Sequence, residues 1–270
     1  MPGAEPYHAD GRARAGATET AAAGRTGALF CHGFTGSPGS LRPWAEHLAG
    51  AGLTVSLPRL PGHGTSWQEC NATGWPDWYA SAERALRRLT ERCDRVFVCA
   101  LSMGGCLALR LAQQHGPAVA GLVLVNPSIS SSDRRLALLP MLRWVLPAAG
   151  GLANDIATPG QDEVAYDRTP LHALHSLTRA WPLVRADLPL VTQPLLVFRS
   201  ARDHVVDASS TRLILEEVSS RDVTEVVLDR SYHVATLDHD APRVFAGSLD
   251  FIRRLSPAAA PLSPAVVVAG

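Results

Sequence analysis

The stretch VFVCALSMGGC, residues 96–106, decides the fold class of this chain. An apolar, β-branched run ends at Ser102, and a helical pattern of leucine and alanine follows at once. This predicts a strand that turns sharply into a helix and exposes the serine hydroxyl at the edge of a sheet. The first glycine of the usual Gly-x-Ser-x-Gly pattern is replaced by Ala100, which is small enough to keep the geometry. A buried serine in an ordinary strand–helix turn is the alternative for the motif taken alone.

Short apolar runs alternate with amphipathic stretches on both sides of this motif. The predicted strands are 27–31, 54–57, 95–100, 121–126, 194–200 and 225–228. The predicted helices are 41–51, 75–92, 104–115, 209–218 and 242–255. Such an alternation is typical of an α/β fold with a mostly parallel central sheet and helices on both faces.

The alternation also predicts the domain organisation. It fails over residues 129–189, where apolar residues crowd together, so we expect an inserted cap or lid there, with a partner interface as the alternative. The α/β core is then formed by residues 27–128 and 190–255. Residues 1–26 form an N-terminal segment that is expected to be flexible over 8–26, and the Pro/Ala-rich residues 256–270 form a flexible tail.

Composition excludes several classes of function. The 270 residues carry 25 basic and 25 acidic side chains, so no net charge favours nucleic acid or an anionic membrane. The chain contains no lysine, which excludes P-loop and Schiff-base lysine chemistry. The histidines show no metal-ligand spacing, and we expect neither a metal nor a cofactor.

The cysteines and the N-terminal residues predict the compartment. The 5 cysteines form no Cys-x-x-Cys pair, which is typical of small core residues in a reducing compartment. The first residues contain no uninterrupted apolar run of a secretory signal, and no stretch is long enough to span a bilayer. We therefore expect a cytoplasmic protein.

Two later loops carry the groups that would make a serine reactive. A hydroxyl needs an imidazole base, and the base needs an orienting carboxylate. Asp203 follows the strand predicted at 194–200, and His233 follows the strand predicted at 225–228. Both lie where open α/β sheets bind ligands. Asp207 is the alternative acid, and the alternative bases are His172, His175, His204 and His239.

The loop after the first core strand is a candidate oxyanion site. Its sequence is His32-Gly33-Phe34, and such a loop can present the backbone N–H of Phe34 to a developing oxyanion. The second donor would be the N–H of Met103, directly after the serine. The ring of Phe34 is expected to form a wall of the acyl pocket. We expect structural roles for His32 and His63.

Taken together, the motifs resemble those of α/β-hydrolases of the bacterial carboxylesterase and monoacylglycerol lipase family. The similar segments are CHGFTGSP (31–38), LPRLPGHGT (57–65), LSMGG (101–105), DHVV (203–206) and SYHVATLDHD (231–240). The resemblance implies an α/β-hydrolase fold with a small cap and serine hydrolysis of medium- or long-chain monoacyl esters. It implies a triad of Ser102, Asp203 and His233, with Phe34 and Met103 as oxyanion donors.

The resemblance also implies how substrate is held. Leu152 would touch the acyl chain, and Glu163 would accept hydrogen bonds from a glycerol hydroxyl, with a solvated helix charge as the alternative for Glu163. The expected partner is a small-molecule lipid ester, with transient membrane or lipid contact through the cap. Short-chain carboxylesterases and acyltransferases on the same scaffold are the alternative activities, and the sequence leaves the oligomeric state open.

Overall fold

The computed structural model describes residues 1–11, 25–151 and 153–256. Its strands are β1 (Tyr7–Ala9), β2 (Thr26–Cys31), β3 (Thr54–Leu57), β4 (Arg95–Leu101), β5 (Gly121–Val125), β6 (Ala148–Gly150), β7 (Arg168–Pro170), β8 (Leu195–Ser200) and β9 (Val223–Leu228). Its α-helices are α1 (Arg42–Gly50), α2 (Trp67–Asn71), α3 (Trp75–Thr90), α4 (Met103–His115), α5 (Leu139–Val145), α6 (Leu171–Ala186), α7 (Ser209–Glu217) and α8 (Ala241–Leu255). Every predicted strand and helix is present within two residues of its expected bounds.

The central sheet has seven strands in the order β1-β3-β2-β4-β5-β8-β9. All neighbours are parallel except β1 and β3, which are antiparallel. The strand β4 lies in the middle, and its Ala100 is paired with Cys31 on one side and Leu124 on the other. The prediction of a mostly parallel sheet is confirmed.

Alternate side chains of β4 enter two separate core layers. Val98 and Ala100 belong to the layer that contains Trp78 of α3 and Leu107 of α4. Phe97 and Cys99 belong to the opposite layer, which contains side chains of α1 and α8. Because both faces are covered, β4 and β5 read as continuous apolar runs rather than alternating ones. Helices therefore cover both faces of the sheet, as predicted.

The strand–helix turn at Ser102 depends on glycines behind it. Ser102 has φ 55° and ψ −121°, a strained backbone conformation for a residue with a side chain. A Cβ atom on Gly104 would overlap the carbonyl oxygen of Cys31, and one on Gly105 would lie 2.7 Å from Pro127 Cβ. The backbone of α4 thus contacts β2 directly, and the small neighbours predicted for this turn are a steric necessity.

The segment between β5 and β8 divides into two parts. Its helix α6 packs into the core layer of α3 and α4 through Ala173, Leu177 and Val184. Its helix α5 instead leaves Met141 and Trp144 exposed at 74% and 72%. Two short antiparallel strands, β6 and β7, lie between these helices in the chain. Apolar side chains are therefore buried in α6 and displayed to solvent on α5.

The N-terminal residues differ from the expectation of flexibility over 8–26. His8 and Ala9 belong to β1, which pairs with β3 through Val55, and the His8 ring contacts the Ser56 hydroxyl at 3.2 Å. A strand of three residues is too short to show alternation, so the sequence pattern did not reveal it. The rest of that prediction falls partly on residues 12–24, and the predicted tail on 257–270, which lie outside the described residues.

Of the helices in the described ranges, none has the length and apolar character needed to cross a bilayer.

We predict that Gly104→Ala strongly destabilises the protein. The added Cβ has no space against the Cys31 carbonyl, and overpacking of this kind typically costs about 1–3 kcal/mol. Gly50→Ala is the matched control, because a Cβ there meets no atom within 4 Å, and alanine favours a helix by about 1 kcal/mol. Urea unfolding measures both. Equal midpoints for the two variants would contradict the proposed steric role of Gly104.

Candidate active site

Ser102 stands at the carboxyl edge of the sheet between β4 and α4. Its N–H donates to the Val125 carbonyl at 3.0 Å, and its carbonyl accepts the N–H groups of Gly105 and Ser128. These bonds hold a backbone conformation that costs about 1–3 kcal/mol. The side chain is largely enclosed, with 8% of the residue exposed. The strained turn thus presents the hydroxyl at the end of the sheet where ligands bind.

Asp203 and His233 form a buried pair on the loops after β8 and β9. His233 Nδ1 lies 2.8 Å from Asp203 Oδ2, and the two side chains are 8% and 6% exposed. The other carboxylate oxygen, Oδ1, accepts the N–H groups of Val205 and Val206, each at 2.8 Å. Because an ionised carboxylate only accepts, Nδ1 carries the proton and Nε2 is left with a free lone pair. The imidazole is therefore in the tautomer that a base requires.

The electrostatic surroundings of His233 favour its charged form. Burial lowers the pKa of His233, but the charge and hydrogen bond of Asp203 raise it, with further contributions from Glu163 and Asp155. The net effect places the pKa of His233 above the ordinary value for histidine. An imidazole can accept a proton only in its neutral form, so this capacity is lost as the pH falls through the raised pKa of His233.

Asn126 connects the loop of His233 to the ends of β5 and β8. It directly follows Val125, and its Nδ2 donates to the His233 carbonyl at 2.7 Å. Its Oδ1 accepts the N–H of Ser200 at the end of β8. No hydrogen bond within the described residues joins Ser102 Oγ to His233, and such bonds often form only when substrate binds. Asn126 was not predicted, since only the tertiary structure reveals its partners.

The two predicted oxyanion donors belong to segments that adjoin Ser102. A Cβ on Gly33 would lie 3.4 Å from Ser102 Cβ, so the loop after β2 runs directly past the serine. The N–H groups of Phe34 and Met103 donate to no acceptor within the described part of the chain. Met103 is also the first residue of α4, where the helix dipole favours negative charge. This arrangement fits both predicted donors.

His32 and His63, on the loops after β2 and β3, are neutral and structural. His32 Nδ1 donates to the Gly33 carbonyl at 2.9 Å, and its Nε2 accepts the Leu60 N–H at 3.2 Å. His63 Nδ1 donates to the Pro61 carbonyl at 3.0 Å. Burial lowers the pKa of His32 to about 3 and that of His63 to about 4. Both hold loop backbone, as expected from the sequence.

The alternative acid and bases have other partners. Asp207 accepts the Ser132 hydroxyl at 3.0 Å and the Ser209 N–H at 2.8 Å at the start of α7. His204 pairs with Asp155 at 2.7 Å. Within the described residues, Asp203 forms no hydrogen bond with the remaining candidates, which are His172, His175 and His239.

Glu163 lies beside the oxyanion loop. Its Oε1 accepts the Asn154 N–H at 2.7 Å, and its own N–H donates to Asn154 Oδ1 at 2.9 Å. Its Oε2 would lie 3.7 Å from a Cβ on Gly36. Burial raises the pKa of Glu163, against the Asn154 hydrogen bond and the charge of His233, which lower it. Glu163 lies outside any helix, and Leu152, the other predicted substrate contact, lies outside the described residues.

Asp238 is a further residue that holds the loop of His233, and the sequence did not predict this role. Its carboxylate accepts the N–H groups of Ala157 and Thr158, the Thr158 hydroxyl and the Tyr232 N–H, at distances of 2.7 to 3.0 Å. The residue is 5% exposed. It ties the segment around residue 157 to the loop of His233. The nearby repeat of aspartates in 231–240 is the sequence signal that could have drawn attention to it.

No group of three or more histidine, cysteine, aspartate or glutamate side chains in residues 1–11, 25–151 and 153–256 could hold a metal ion.

Similarity to known proteins identifies the family. The family model described as "Serine aminopeptidase, S33" matches residues 25–240. The chain belongs to this family. Its fold is the α/β-hydrolase fold, as the sequence motifs predicted.

Two relatives and one solved structure illustrate what this chain is similar to. The thermostable monoacylglycerol lipase of Bacillus sp. (strain H-257) is 38% identical over 261 residues, which cover 94% of this chain and 96% of the relative. The carboxylesterase of Bacillus subtilis (strain 168) is 26% identical, over 84% of this chain and 92% of that protein. A solved structure of a metagenome-derived lipolytic enzyme superimposes with a TM-score of 0.87 at 38% identity, covering 94% of this chain and 99% of that one.

Proposed function

We propose that this chain is a serine hydrolase that cleaves monoacylglycerols. The observation that carries the proposal is the buried Asp203–His233 pair, on loops that lead to the sheet edge where Ser102 lies beside two free N–H groups. The monoacylglycerol lipase that is 38% identical over nearly the whole chain supports the substrate class.

The first half-reaction follows from this arrangement. His233 Nε2 accepts the Ser102 proton as Oγ attacks the ester carbonyl carbon. The oxyanion that forms accepts hydrogen bonds from the N–H groups of Phe34 and Met103, and donors of this kind each contribute about 3–4 kcal/mol in other hydrolases. The bond to glycerol then breaks, and the leaving oxygen takes the proton from His233. The product of this step is an acyl ester of Ser102.

The second half-reaction uses the same groups with water. His233 removes a proton from water as the water oxygen attacks the acyl carbon. The Ser102 oxygen leaves with that proton, the fatty acid is released, and the hydroxyl is restored. Asp203 keeps its hydrogen bond to Nδ1 throughout and stabilises the imidazolium that forms in each half.

We propose that Glu163 binds the glycerol part of the substrate. Its Oε1 is engaged by Asn154, whereas Oε2 faces the oxyanion loop near Gly36. A carboxylate oxygen there can accept a hydrogen bond from a hydroxyl of the alcohol. Leu152 remains a proposed contact of the acyl chain.

Other activities on the same scaffold differ in what they release. A short-chain carboxylesterase would prefer acetate esters to laurate esters, and an acyltransferase would form a new ester when a second alcohol is added. The family description adds peptide amides to the substrates that need testing. A panel of p-nitrophenyl acetate, p-nitrophenyl laurate, 1-lauroylglycerol and leucine p-nitroanilide separates these activities.

We predict that a fluorophosphonate probe labels wild-type protein once, at Ser102, and that 1-lauroylglycerol is hydrolysed. Asp203→Asn should lower turnover by about 10⁴-fold, because the amide favours the wrong imidazole tautomer. Asp207→Asn is the matched control and should leave turnover unchanged, since Asp207 bonds to Ser132 and Ser209. Mass spectrometry locates the adduct. Labelling at another residue, or a larger loss in Asp207→Asn, would contradict the assignment.

We predict that Glu163→Gln weakens the recognition of glycerol esters. The KM for 1-lauroylglycerol should rise about tenfold, since a hydrogen bond to a charged acceptor is lost. The KM for ethyl laurate, which has the same acyl chain and no free hydroxyl, should change little. Asp162→Asn, one residue earlier and exposed, is the control. An equal change for both esters would show that Glu163 does not recognise glycerol.

We propose that residues 129–189 form a cap and that its helix α5 contacts a lipid surface. Met141, Trp144 and Val145 are 74%, 72% and 79% exposed on this helix. Aromatic and aliphatic side chains displayed together are typical of an interaction site. Arg134 precedes the helix and is exposed, which places a local positive charge beside α5 although the chain carries no net charge. A long-chain monoacylglycerol has an apolar acyl chain that partitions into such surfaces.

We predict that Met141→Ser/Val145→Ser lowers binding to vesicles that contain phosphatidylglycerol, because apolar area available to the bilayer is removed. Hydrolysis of water-soluble p-nitrophenyl butyrate should be unaffected. Leu183→Ser/Leu190→Ser is the matched control, since these side chains are exposed at 58% and 57% but lie outside α5. Vesicle co-sedimentation measures binding, and equal binding by both double variants would contradict a role of α5.

We propose a cytoplasmic location. The cysteines Cys31, Cys70, Cys93, Cys99 and Cys106 are all unpaired and buried. Unpaired thiols persist in a reducing compartment, which supports the proposal.

A further inference from the structure

The carboxylate of Asp155 contacts both loops that carry the acid and the base. Its Oδ1 pairs with the His204 ring at 2.7 Å, and its Oδ2 accepts the His204 N–H at 3.2 Å. The same Oδ2 accepts the His233 N–H at 3.1 Å. Its own carbonyl accepts the Val234 N–H at 3.1 Å. One residue outside the α/β core therefore holds the backbone on both sides of the Asp203–His233 pair.

The sheet alone does not fix these two loops. The strands β8 and β9 end at Ser200 and Leu228, and both Asp203 and His233 lie beyond the paired residues. The backbone next to Asp203 is held through His204, and the backbone of His233 is held at its own N–H, by a side chain that is 16% exposed. A bond of this kind sets where the imidazole ring is placed relative to its acid.

We propose that Asp155 is a positioning residue. It holds the loops of Asp203 and His233 so that the imidazole stays correctly placed against its acid. The inference rests on the proposed serine hydrolase function. The segment that precedes Glu163 then helps to place the acid and the base, in addition to covering the site. Asp155 itself touches neither the substrate nor the reacting atoms.

Asp155 also acts on His233 through its charge. The charges of Asp203, Glu163 and Asp155 each raise the pKa of His233 against the lowering effect of burial, and Asp203 also contacts the ring. His204 faces Asp155 from the other side, with 57% of its side chain exposed. Removing the Asp155 charge lowers the pKa of His233. Its base form would then persist to lower pH.

The test compares Asp155→Asn with Asp222→Asn in the full-length chain, with p-nitrophenyl butyrate as substrate. Asp222 is the matched control, because it forms an exposed ion pair with Arg254 before β9. We expect Asp155→Asn to lower kcat about tenfold through misplacement of the base, with little change in KM. The acid limb of kcat/KM should move to lower pH. Asp222→Asn should change neither quantity.

Two further variants separate positioning from charge and from the ion pair. Asp155→Glu keeps the charge but lengthens the side chain by a methylene group. The value of kcat should therefore fall, while the acid limb of kcat/KM stays close to its wild-type position. His204→Gln leaves the carboxylate able to accept both N–H groups, so kcat should stay within about twofold of wild type, as for exposed substitutions. A loss in His204→Gln equal to that in Asp155→Asn would assign the effect to the ion pair and overturn the proposal.

The outcomes also distinguish this proposal from the proposed function. If wild-type protein is not labelled at Ser102 by a fluorophosphonate, the hydrolase function fails whatever Asp155 does. If wild-type protein is labelled but Asp155→Asn matches Asp222→Asn in kcat and pH profile, only the positioning role fails. Should Asp155→Asn unfold, the kcat and pH profile of Asp155→Glu decide: an unchanged kcat overturns the role.

Discussion

The contact on which the site depends is the direct approach of the α4 backbone to the carbonyl of Cys31. Only the missing side chain of Gly104 allows it. This approach forces Ser102 into its strained conformation, because the chain must turn from β4 into a helix that lies against β2. It also brings the end of β2 beside the start of α4. The loop that carries Phe34 thereby runs past Ser102, which directly precedes Met103.

Asp203 and His233, the proposed acid and base, are held in a different way. Ser102 is placed by the sheet and helix themselves, whereas Asp203 and His233 lie on loops beyond the strands. Buried polar groups must be paired, and here the pairing itself fixes the loops. Asn126 and Asp238 bind the backbone around His233 with side-chain oxygens and an amide, at distances of 2.7 to 2.9 Å. Replacing such groups with apolar ones would leave a loop carbonyl and loop N–H groups without partners, so this polar layer is as structural as the core.

The segment between β5 and β8 contains two parts with different surroundings. Near residues 154–158 it is bonded to the loop of His233 through Asp155 and Asp238. At α5 it displays apolar side chains to solvent instead of burying them. One part of the segment is therefore bonded to the site, while the other leaves apolar side chains exposed. Both features suit the proposed lipid ester substrate, because its acyl chain is insoluble and its reacting bond must be placed accurately.

Local sequence patterns alone predicted the alternation of strands and helices, the turn at Ser102, and the loops that carry Asp203 and His233. These features depend on neighbouring residues, so periodicity and small side chains reveal them. The strand β1 was missed because three residues show no period. The roles of Asp155 and Asp238 were decided by the tertiary structure: Asp155 meets the N–H of His233 across 78 residues of chain. A hydrogen bond between such distant residues has no counterpart in local sequence, since it exists only once the sheet has brought its loops to one edge.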